Sequence, residues 1–278
     1  MNDVQAAVPL LVAEGIERVY RTRDRAGRRH ETPALRGVDM SVRAGGSLAI
    51  VGESGSGKST LAKILVGLEA ADAGTVKLGG VDLHAAHGAA RRKLQHEIQM
   101  IFQDPYRSLN PRMTIRNALR FAFDPAAPRA SFTAECERML GLVRLPLAYL
   151  DRRPGSLSGG ERQRVNIARA LMAKPKVVVA DEAVSALDRS VQSDVLNLIA
   201  DLREEFNLTL VYITHDVNTV QAICENVIVL HKGLVVETGR SRDVMANPQE
   251  EYTRNLLEAA PTVERALELR GLTKAVQS

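Results

Sequence analysis

Apolar positions in the N-terminal part of the chain follow the short period of β-strands. Residues 10–19 form a mostly apolar run, residues 34–42 alternate between apolar and polar, and residues 47–51 are almost entirely apolar. These patterns predict two partly exposed strands and one buried strand, and residues 74–81 predict a further strand that turns at a glycine pair. Residues 21–33 carry five arginines and predict a solvated loop, with contact to lipid headgroups or a partner as the alternative.

Farther along the chain, short apolar runs alternate with segments of helical spacing. The expected strands lie at residues 98–102, 177–179, 209–214 and 227–231. The expected helices lie at residues 61–68, 115–123, 132–145, 158–174, 191–206 and 217–224. Prolines punctuate the stretch from 105 to 155, which predicts a mostly helical insert. The alternation of helices with buried strands predicts an α/β core built on a parallel sheet.

Composition adds the expectation of an ordinary globular protein, since 45% of the 278 residues are hydrophobic and 25% are charged. The longest uncharged apolar candidate, residues 4–13, is shorter than the roughly 18 residues of a membrane helix. Asp3 and the lack of a basic N-terminal region argue against a secretory signal, so we expect a cytosolic location. A net charge of +4, from 37 basic and 33 acidic residues, does not indicate nucleic acid as a partner.

Cysteines and histidines do not predict a metal site by their spacing. Cys136 and Cys224 lie far apart on helix-like segments, which predicts buried and inert thiols. His84 and His87 are spaced like a ligand pair, but no partner set of cysteines and carboxylates accompanies them. We expect these two histidines to lie in a solvated loop.

The sharpest local pattern is Gly-Glu-Ser-Gly-Ser-Gly-Lys-Ser-Thr at residues 52–60, between a buried strand and a helix. Glycines in such a loop let backbone N–H groups converge on phosphate oxygens, Lys58 reaches the terminal phosphates, and the Ser59 hydroxyl can ligate Mg²⁺. The positive end of the following helix faces the same anion. The candidate nucleotide-binding residues here are Gly52, Ser54, Gly55, Gly57, Lys58, Ser59 and Thr60. The loop alone leaves kinases, GTPases and motor proteins open.

Further stretches follow this loop in a fixed order. They are Leu-Ser-Gly-Gly-Glu-Arg-Gln-Arg at 157–164, Val-Val-Val-Ala-Asp-Glu at 177–182, Ser-Ala-Leu-Asp at 185–188 and Thr-His-Asp at 214–216. With them, the chain resembles the nucleotide-binding subunits of ATP-binding cassette (ABC) transporters over residues 20–257. The resemblance implies an α/β fold, a P-loop NTPase core with an N-terminal antiparallel β subdomain and an α-helical insert. It also implies a single nucleotide-binding domain over 1–260, a helical subdomain at about 104–172 and a C-terminal extension at 261–278.

The same resemblance implies roles for individual residues in ATP hydrolysis. The residues implied to hold Mg²⁺ are Ser59, Gln103 and Asp181. Glu182 would be the base that activates the attacking water, Gln103 would also reach that water, and His215 would contact the terminal phosphate. Tyr20 would stack on adenine, and an ordinary tyrosine at a strand end is the alternative.

Ser158, Gly159 and Gly160 precede a helix and repeat the chemistry of the phosphate loop, with bare N–H groups, a hydroxyl and a positive helix end. In the family this second surface covers the nucleotide of a partner subunit, and Asp188 lies on a loop that crosses between subunits. The resemblance therefore implies a dimer with a second ABC ATPase subunit, which is either the same chain or a paralogue. Two ATP molecules would lie between the subunits, arranged head to tail.

Two stretches narrow the resemblance within the family. Residues 102–114 and 247–257 are similar to segments of the ATPase subunits of dipeptide, oligopeptide and nickel importers. Such importers imply two transmembrane permease subunits and, indirectly, an extracytoplasmic solute-binding protein. They also imply a peripheral location on the cytoplasmic face of the inner membrane. The sequence does not identify the solute, because selectivity in this architecture resides in the permease and the binding protein.

Some positions depart from the family pattern. Glu161 stands where many relatives have glutamine, Ala183 and Val184 replace a usual Pro-Thr pair, and Glu251 replaces a proline. None of them is a phosphate ligand, so we expect intact catalysis. No cysteine follows Cys224, so we expect no iron–sulfur cluster of the kind that some subunits of this group carry. The alternative function is a soluble ABC-type ATPase that acts on ribosomes or nucleic acid; such proteins usually carry two cassettes or long coiled-coil insertions.

Overall fold

A computed structural model describes residues 8–24, 27–123 and 127–260 of the chain. The strands of these ranges are β1 (Pro9–Arg23), β2 (Arg29–Arg43), β3 (Ser47–Val51), β4 (Ala73–Leu78), β5 (Val81–Asp82), β6 (Ile98–Ile101), β7 (Val177–Asp181), β8 (Thr209–Thr214), β9 (Asn226–His231) and β10 (Leu234–Arg240). The α-helices are α1 (Lys58–Leu65), α2 (Gly88–Glu97), α3 (Pro105–Ser108), α4 (Ile115–Arg120), α5 (Arg129–Leu142), α6 (Gly159–Met172), α7 (Arg189–Phe206), α8 (Val220–Ile223), α9 (Ser241–Ala246) and α10 (Glu251–Ala259). Short 3-10 turns occupy Leu147–Asp151, Pro154–Ser156 and Val217–Thr219.

The central sheet has the strand order β10-β9-β3-β8-β7-β6. Its strands pair in parallel, except that β10 pairs antiparallel with β9. Every residue of β3, β7 and β8 is buried, as expected for apolar strands covered on both faces. The phosphate loop and the segments that begin at Gln103, Glu182 and His215 all follow carboxyl ends of these parallel strands, where open α/β sheets bind ligands.

Two hydrophobic cores lie on opposite faces of this sheet, because successive strand residues point to opposite sides. Ala49 and Val51 pack in the core that contains the helices between β6 and β7, whereas Leu48 and Ile50 pack in the core beneath the N-terminal sheet. The parallel core and the helical insert of the predicted fold class are therefore confirmed.

The N-terminal sheet is antiparallel, with the order β2-β1-β4-β5, and confirms the predicted β subdomain. The prediction of a solvated loop over residues 21–33 is wrong for most of its length. Strand β1 continues to Arg23 and pairs with β2 from Arg29, and Arg21 forms a cross-strand ion pair with Glu31 at 3.1 Å. Opposite charges that face each other across β1 and β2 favour the pairing of these strands, which the run of arginines did not predict. Residues 25 and 26 lie outside the described residues.

The helices of the insert differ from the predicted ones mainly at their ends. Helix α4 begins at Ile115 because the Thr114 hydroxyl accepts a hydrogen bond from the Asn117 N–H, and it ends at Arg120 rather than at residue 123. Helix α5 begins three residues earlier than the predicted 132, directly after Pro128, and ends at Leu142 rather than at 145. Proline is favourable at a helix start, where its missing N–H would be unpaired in any case.

Several elements were missed or misjudged from the sequence. The predicted helix over residues 217–224 is a 3-10 turn followed by the short α8. Helix α2 was not predicted because its side chains are mostly polar and Leu94 is its buried residue. Strand β10 and helices α9 and α10 were not predicted as elements either. Helix α10 contains most of the importer-like stretch 247–257, and Glu251 is its first residue, where an acidic side chain favours the helix dipole.

Candidate active site

The phosphate loop joins β3 to α1 in a conformation that requires glycine. Gly57 precedes the helix with φ of 109°, and a Cβ there would lie 2.4 Å from the Ala34 carbonyl oxygen. A Cβ on Gly52 would lie 2.2 Å from the carbonyl oxygen of Leu230, on the neighbouring β9. Any larger residue would therefore displace backbone on both sides of the loop.

Lys58 is buried, with 4% of its surface exposed, and its side chain turns back into the loop. Its Nζ donates hydrogen bonds to the carbonyl oxygens of Gly52 and Glu53, each at 2.8 Å. Burial lowers the pKa of Lys58, and the carboxylates of Glu182 and Asp181 oppose this shift. The two carbonyl oxygens hold the Lys58 ammonium group at the loop, where this cation can donate to the phosphates of a triphosphate.

Ser59 and Asp181 bring a hydroxyl and a carboxylate together beside the loop. The Ser59 Oγ donates to Asp181 Oδ1 at 3.2 Å, although 122 residues separate them. Burial raises the pKa of Asp181, and the hydrogen bond from Ser59 opposes this shift. Hard oxygen donors in this arrangement fit Mg²⁺, which is bound through one or two carboxylates together with substrate phosphates.

Gln103, Glu182 and His215 form a second polar cluster at the ends of β6, β7 and β8. Gln103 Nε2 donates to Glu182 Oε2 at 2.6 Å, and His215 Nδ1 lies 3.3 Å from Glu182 Oε1. Glu182 has φ of 44°, in the left-handed region that non-glycine residues seldom adopt. Its backbone N–H donates to the Ile213 carbonyl at 2.9 Å, which fixes this conformation. The carboxylate of Glu182 therefore lies between an amide and an imidazole.

Tyr20 also lies close to the loop. Its hydroxyl is 3.2 Å from Thr60 Oγ1, and the Arg18 guanidinium lies 5.3 Å from the centre of its ring. Ser54 and Gly55 are exposed at the tip of the loop. Ser56, which the sequence reasoning did not select, has a buried Oγ without a hydrogen-bond partner. Its position inside the loop pattern was the signal that could have identified it.

Ser158, Gly159, Gly160 and Asp188 are not joined to the phosphate loop by any hydrogen bond within the described part of the chain. Ser158 caps α6: its Oγ accepts from the Glu161 N–H at 3.3 Å and its own N–H donates to Glu161 Oε2 at 2.7 Å. Asp188 precedes α7, is exposed, and makes no capping hydrogen bond through its side chain. The structure thus divides the predicted site residues into two groups. The loop group comprises the residues in and around the phosphate loop, and the second group lies at the starts of α6 and α7.

Glu161, the departure from the family's usual glutamine, has a clear structural role. It completes the reciprocal capping box with Ser158 and accepts a hydrogen bond from the Tyr149 hydroxyl at 2.7 Å. The hydrogen bond from Tyr149 and those from Ser158 lower the pKa of Glu161. A carboxylate therefore replaces the amide without loss of the helix cap.

Residues outside the site have ordinary structural surroundings. Cys136 and Cys224 are buried, as predicted, and burial raises the pKa of Cys136 to about 11 and that of Cys224 further. The ring Nε2 of His84 lies 3.0 Å from the Ile64 carbonyl oxygen, so this histidine packs against α1. Within the ranges that the structure describes, no helix has the length and apolarity needed to span a bilayer.

Comparisons with known proteins identify the family of the chain. Residues 35–185 match the family model described as ABC transporter. The di/tripeptide transport ATP-binding protein DppF of Pseudomonas aeruginosa is 41% identical over 232 residues, which cover 83% of this chain and 72% of that protein. The dipeptide transport ATP-binding protein DppF of Haemophilus influenzae is 39% identical over 266 residues, which cover 94% of this chain and 80% of that protein.

Solved structures show the same fold. The dimeric post-hydrolysis structure of the ATP-binding cassette MJ0796 with ADP and Pi has a TM-score of 0.73 and 27% identity, and the match covers 84% of this chain and 99% of that chain. The structure of cbiO1 from Clostridium perfringens has a TM-score of 0.74 and 26% identity, and covers 94% of this chain and 95% of that chain. The chain therefore belongs to the ABC transporter family and is an ATPase of that family.

Proposed function

We propose that this chain is the ATP-hydrolysing subunit of an importer for peptides or a related small solute. The main observation behind this proposal is that the Glu182 carboxylate lies between Gln103 and His215. The phosphate loop lies nearby, and its Ser59 hydroxyl donates a hydrogen bond to Asp181. The names of the similar proteins support the solute class, since the relatives from Pseudomonas aeruginosa and Haemophilus influenzae are named for di/tripeptide and dipeptide transport.

The loop group supplies nucleotide binding in this proposal. Backbone N–H groups of residues 52–60 hold the triphosphate together with Lys58, and Tyr20 stacks on the base. The loop residues assigned to nucleotide binding are Gly52, Ser54, Gly55, Gly57, Lys58, Ser59 and Thr60. Ser59, Asp181 and Gln103 would hold Mg²⁺, whose charge would offset that of the phosphates.

Glu182 is the general base of the proposed reaction. Its carboxylate accepts the proton of the attacking water, while Gln103 orients that water and the Glu182 side chain through its amide. His215 stands on the other side of the carboxylate and contacts the terminal phosphate. The backbone hydrogen bond from Glu182 to Ile213 holds the base in place, so that little reorganisation is needed during the reaction.

The second group completes the site of another subunit. Ser158, Gly159 and Gly160 present a hydroxyl and N–H groups at a helix start that has no hydrogen bond to the loop in the described residues. Asp188, exposed at the start of α7, would cross to the partner. The dimeric ADP-bound and Pi-bound state named for the similar cassette supports this dimer, which pairs the chain with itself or with a paralogue. ATP closes the dimer and hydrolysis opens it.

A groove lined in part by Phe102, the residue before Gln103, is the surface that we assign to the permease. It has a volume of about 420 Å³, and Leu68 and Phe121 line it with 61% and 78% of their surfaces exposed. Exposed apolar patches of this kind mark interaction sites. We propose that the chain lies peripherally on the cytoplasmic face of the inner membrane, bound to two permease subunits and acting with an extracytoplasmic solute-binding protein. In this proposal the domain covers residues 1–260, with its helical subdomain at about 104–172, and 261–278 is an extension.

The proposal is tested by expressing the chain with and without the permease subunits whose genes lie nearest to its own gene, and by measuring how much of the chain is in the membrane fraction. We expect the chain to reach the membrane fraction only with them, and Phe121→Asp to abolish this association while ATP binding is kept. Val81→Asp, at an apolar residue that is 50% exposed outside the groove, is the control and should still associate. Absence from the membrane fraction even with the permeases, or co-sedimentation with ribosomes instead, would favour a soluble ABC-type ATPase acting on ribosomes or nucleic acid.

A further inference from the structure

Helix α10 touches the phosphate loop directly. The Tyr252 hydroxyl on this helix accepts a hydrogen bond from the backbone N–H of Glu53, at 3.2 Å, across 199 residues of sequence. Glu53 is the second residue of the loop, and the site roles described above do not use Tyr252. The contact therefore joins the C-terminal helix to the part of the molecule that holds nucleotide.

Tyr252 is held in place by its neighbours. Its ring packs on that of His231, at the end of β9, with the ring centres 3.8 Å apart and the planes at 44°. The residue before this histidine, Leu230, supplies the carbonyl oxygen that lies 2.2 Å from where a Cβ on Gly52 would be. The start of the loop is thus bordered by β9 backbone at Gly52 and by the Tyr252 hydroxyl at Glu53.

The peptide groups of Glu53 are fixed at both ends. Its N–H donates to Tyr252, and its carbonyl oxygen accepts from Lys58 Nζ at 2.8 Å. The direction of this residue's backbone decides where the lysine rests and how the following N–H groups converge. A loop that must present several N–H groups to one anion depends on such fixing, because each misdirected group weakens the binding-competent conformation.

We propose that Tyr252 is a positioning residue of the phosphate loop, and that nucleotide affinity is thereby coupled to the packing of α10 against the core. The inference rests on the loop being the nucleotide site. Loss of the hydroxyl lets the loop sample conformations that bind nucleotide poorly, and the apparent dissociation constant rises as the competent fraction falls. Coupling is reciprocal, so a filled loop must also stabilise α10.

The test compares Tyr252→Phe with the wild type. Loss of one neutral hydrogen bond to a solvent-accessible N–H predicts a dissociation constant for ATP about three-fold higher, and no more than about ten-fold higher. KM should rise by the same factor while kcat stays unchanged, because the hydroxyl touches no reacting atom. Hydrogen exchange of the α10 amides should slow on ATP addition in the wild type, and slow less in the variant.

Two further variants make the result decisive. Tyr106→Phe removes a hydroxyl from a residue that is 61% exposed and should leave affinity and exchange unchanged. Lys58→Ala reports on the loop itself. If Lys58→Ala weakens ATP binding while Tyr252→Phe changes neither affinity nor α10 exchange, the positioning role is wrong. If neither Lys58→Ala nor Tyr252→Phe changes the affinity for ATP, the assignment of the nucleotide site fails. A fall in kcat without a rise in KM would also overturn the positioning role.

Discussion

The phosphate loop and the start of α6 both offer backbone N–H groups at a helix end, yet they are built differently. The loop takes positive φ at Gly52 and Gly57 and turns Lys58 onto its own carbonyl groups. The start of α6 has ordinary backbone, and its Ser158 is satisfied by a capping box within the helix. The loop is thus shaped for a ligand within one chain, whereas the start of α6 is complete without one.

The glycines of the two regions also serve different purposes. At Gly57, positive φ and the nearby backbone require glycine. Gly159 and Gly160 lack positive φ, and Cβ atoms there would lie 3.1 Å from Leu187 and 2.5 Å from Val191. Glycine therefore lets α6 approach the segment that begins α7. Under the proposed function, the start of α6 would take its phosphate role only when a partner brings a nucleotide to it.

The largest expected effect comes from a change at Glu182, the proposed base. Glu182→Gln keeps the shape of the side chain and its contact with Gln103 but removes the proton acceptor. We expect turnover to fall by about 100- to 10,000-fold while ATP affinity stays within about three-fold of the wild type. Steady-state phosphate release and size-exclusion chromatography with ATP measure turnover and the accumulated dimer. Unchanged turnover would remove Glu182 from its role.

A bulky cation at the start of α6 tests whether the two regions meet across a dimer. Ser158→Arg should leave the chain's own loop able to bind ATP but reduce turnover by about 100-fold or more, because the partner's site is no longer covered. Ser158→Thr keeps the capping hydroxyl and is the matched control. In mixed dimers with wild type, one site should be lost. Mixed dimers in which both sites hydrolyse ATP would contradict the head-to-tail arrangement.

Lys58→Ala changes the phosphate loop and leaves the start of α6 unaltered. Loss of a charged hydrogen-bond donor to phosphate predicts an ATP dissociation constant about 10- to 100-fold higher. Lys93→Ala, at an exposed lysine on α2, should bind ATP like the wild type. Isothermal titration calorimetry gives both affinities. Equal affinities for the two variants would count against the loop as the nucleotide site.

The smallest expected effect is the change in melting temperature of Asp181→Asn, which tests whether the loop region is built for its ligand. Burial raises the folded-state pKa of Asp181, so its ionised form destabilises the nucleotide-free protein near neutral pH. The variant should melt about 2–4 °C higher than the wild type, while Mg²⁺-dependent turnover is lost. The difference in Tm should narrow as pH falls toward the raised pKa, because a protonated Asp181 no longer carries the destabilising charge. Asp194→Asn, at an exposed carboxylate, should not change Tm, and a gap that widens at low pH would contradict this reasoning.

Sequence patterns identified the fold wherever the determinants are local. The phosphate loop, the buried strands β7 and β8 and the start of α6 are each specified by consecutive residues, so spacing was sufficient to find them. The hairpin at residues 21–33 was misjudged because β1 and β2 are held by pairing with each other, including the Arg21–Glu31 pair, which a charge run does not reveal.

The parts of the site that sequence did not predict depend on distance or on backbone strain. Tyr252 contacts Glu53 across most of the chain, so nothing near either residue indicates the other. The left-handed backbone of Glu182 was equally hidden, because glutamate has no preference for it. The roles of the predicted site residues remain predictions for the variants above to test.

Glu182 also bears on how such a protein can be engineered. A left-handed glutamate is typically less stable there by about 1–3 kcal/mol than a residue suited to that backbone. Selection for thermal tolerance alone would therefore favour glycine or asparagine at this position and discard the carboxylate. With Glu182 as the proposed base, a stabilised library screened without an activity requirement should drift toward inactive sequences at this residue, since stability favours glycine or asparagine there whereas turnover requires the carboxylate.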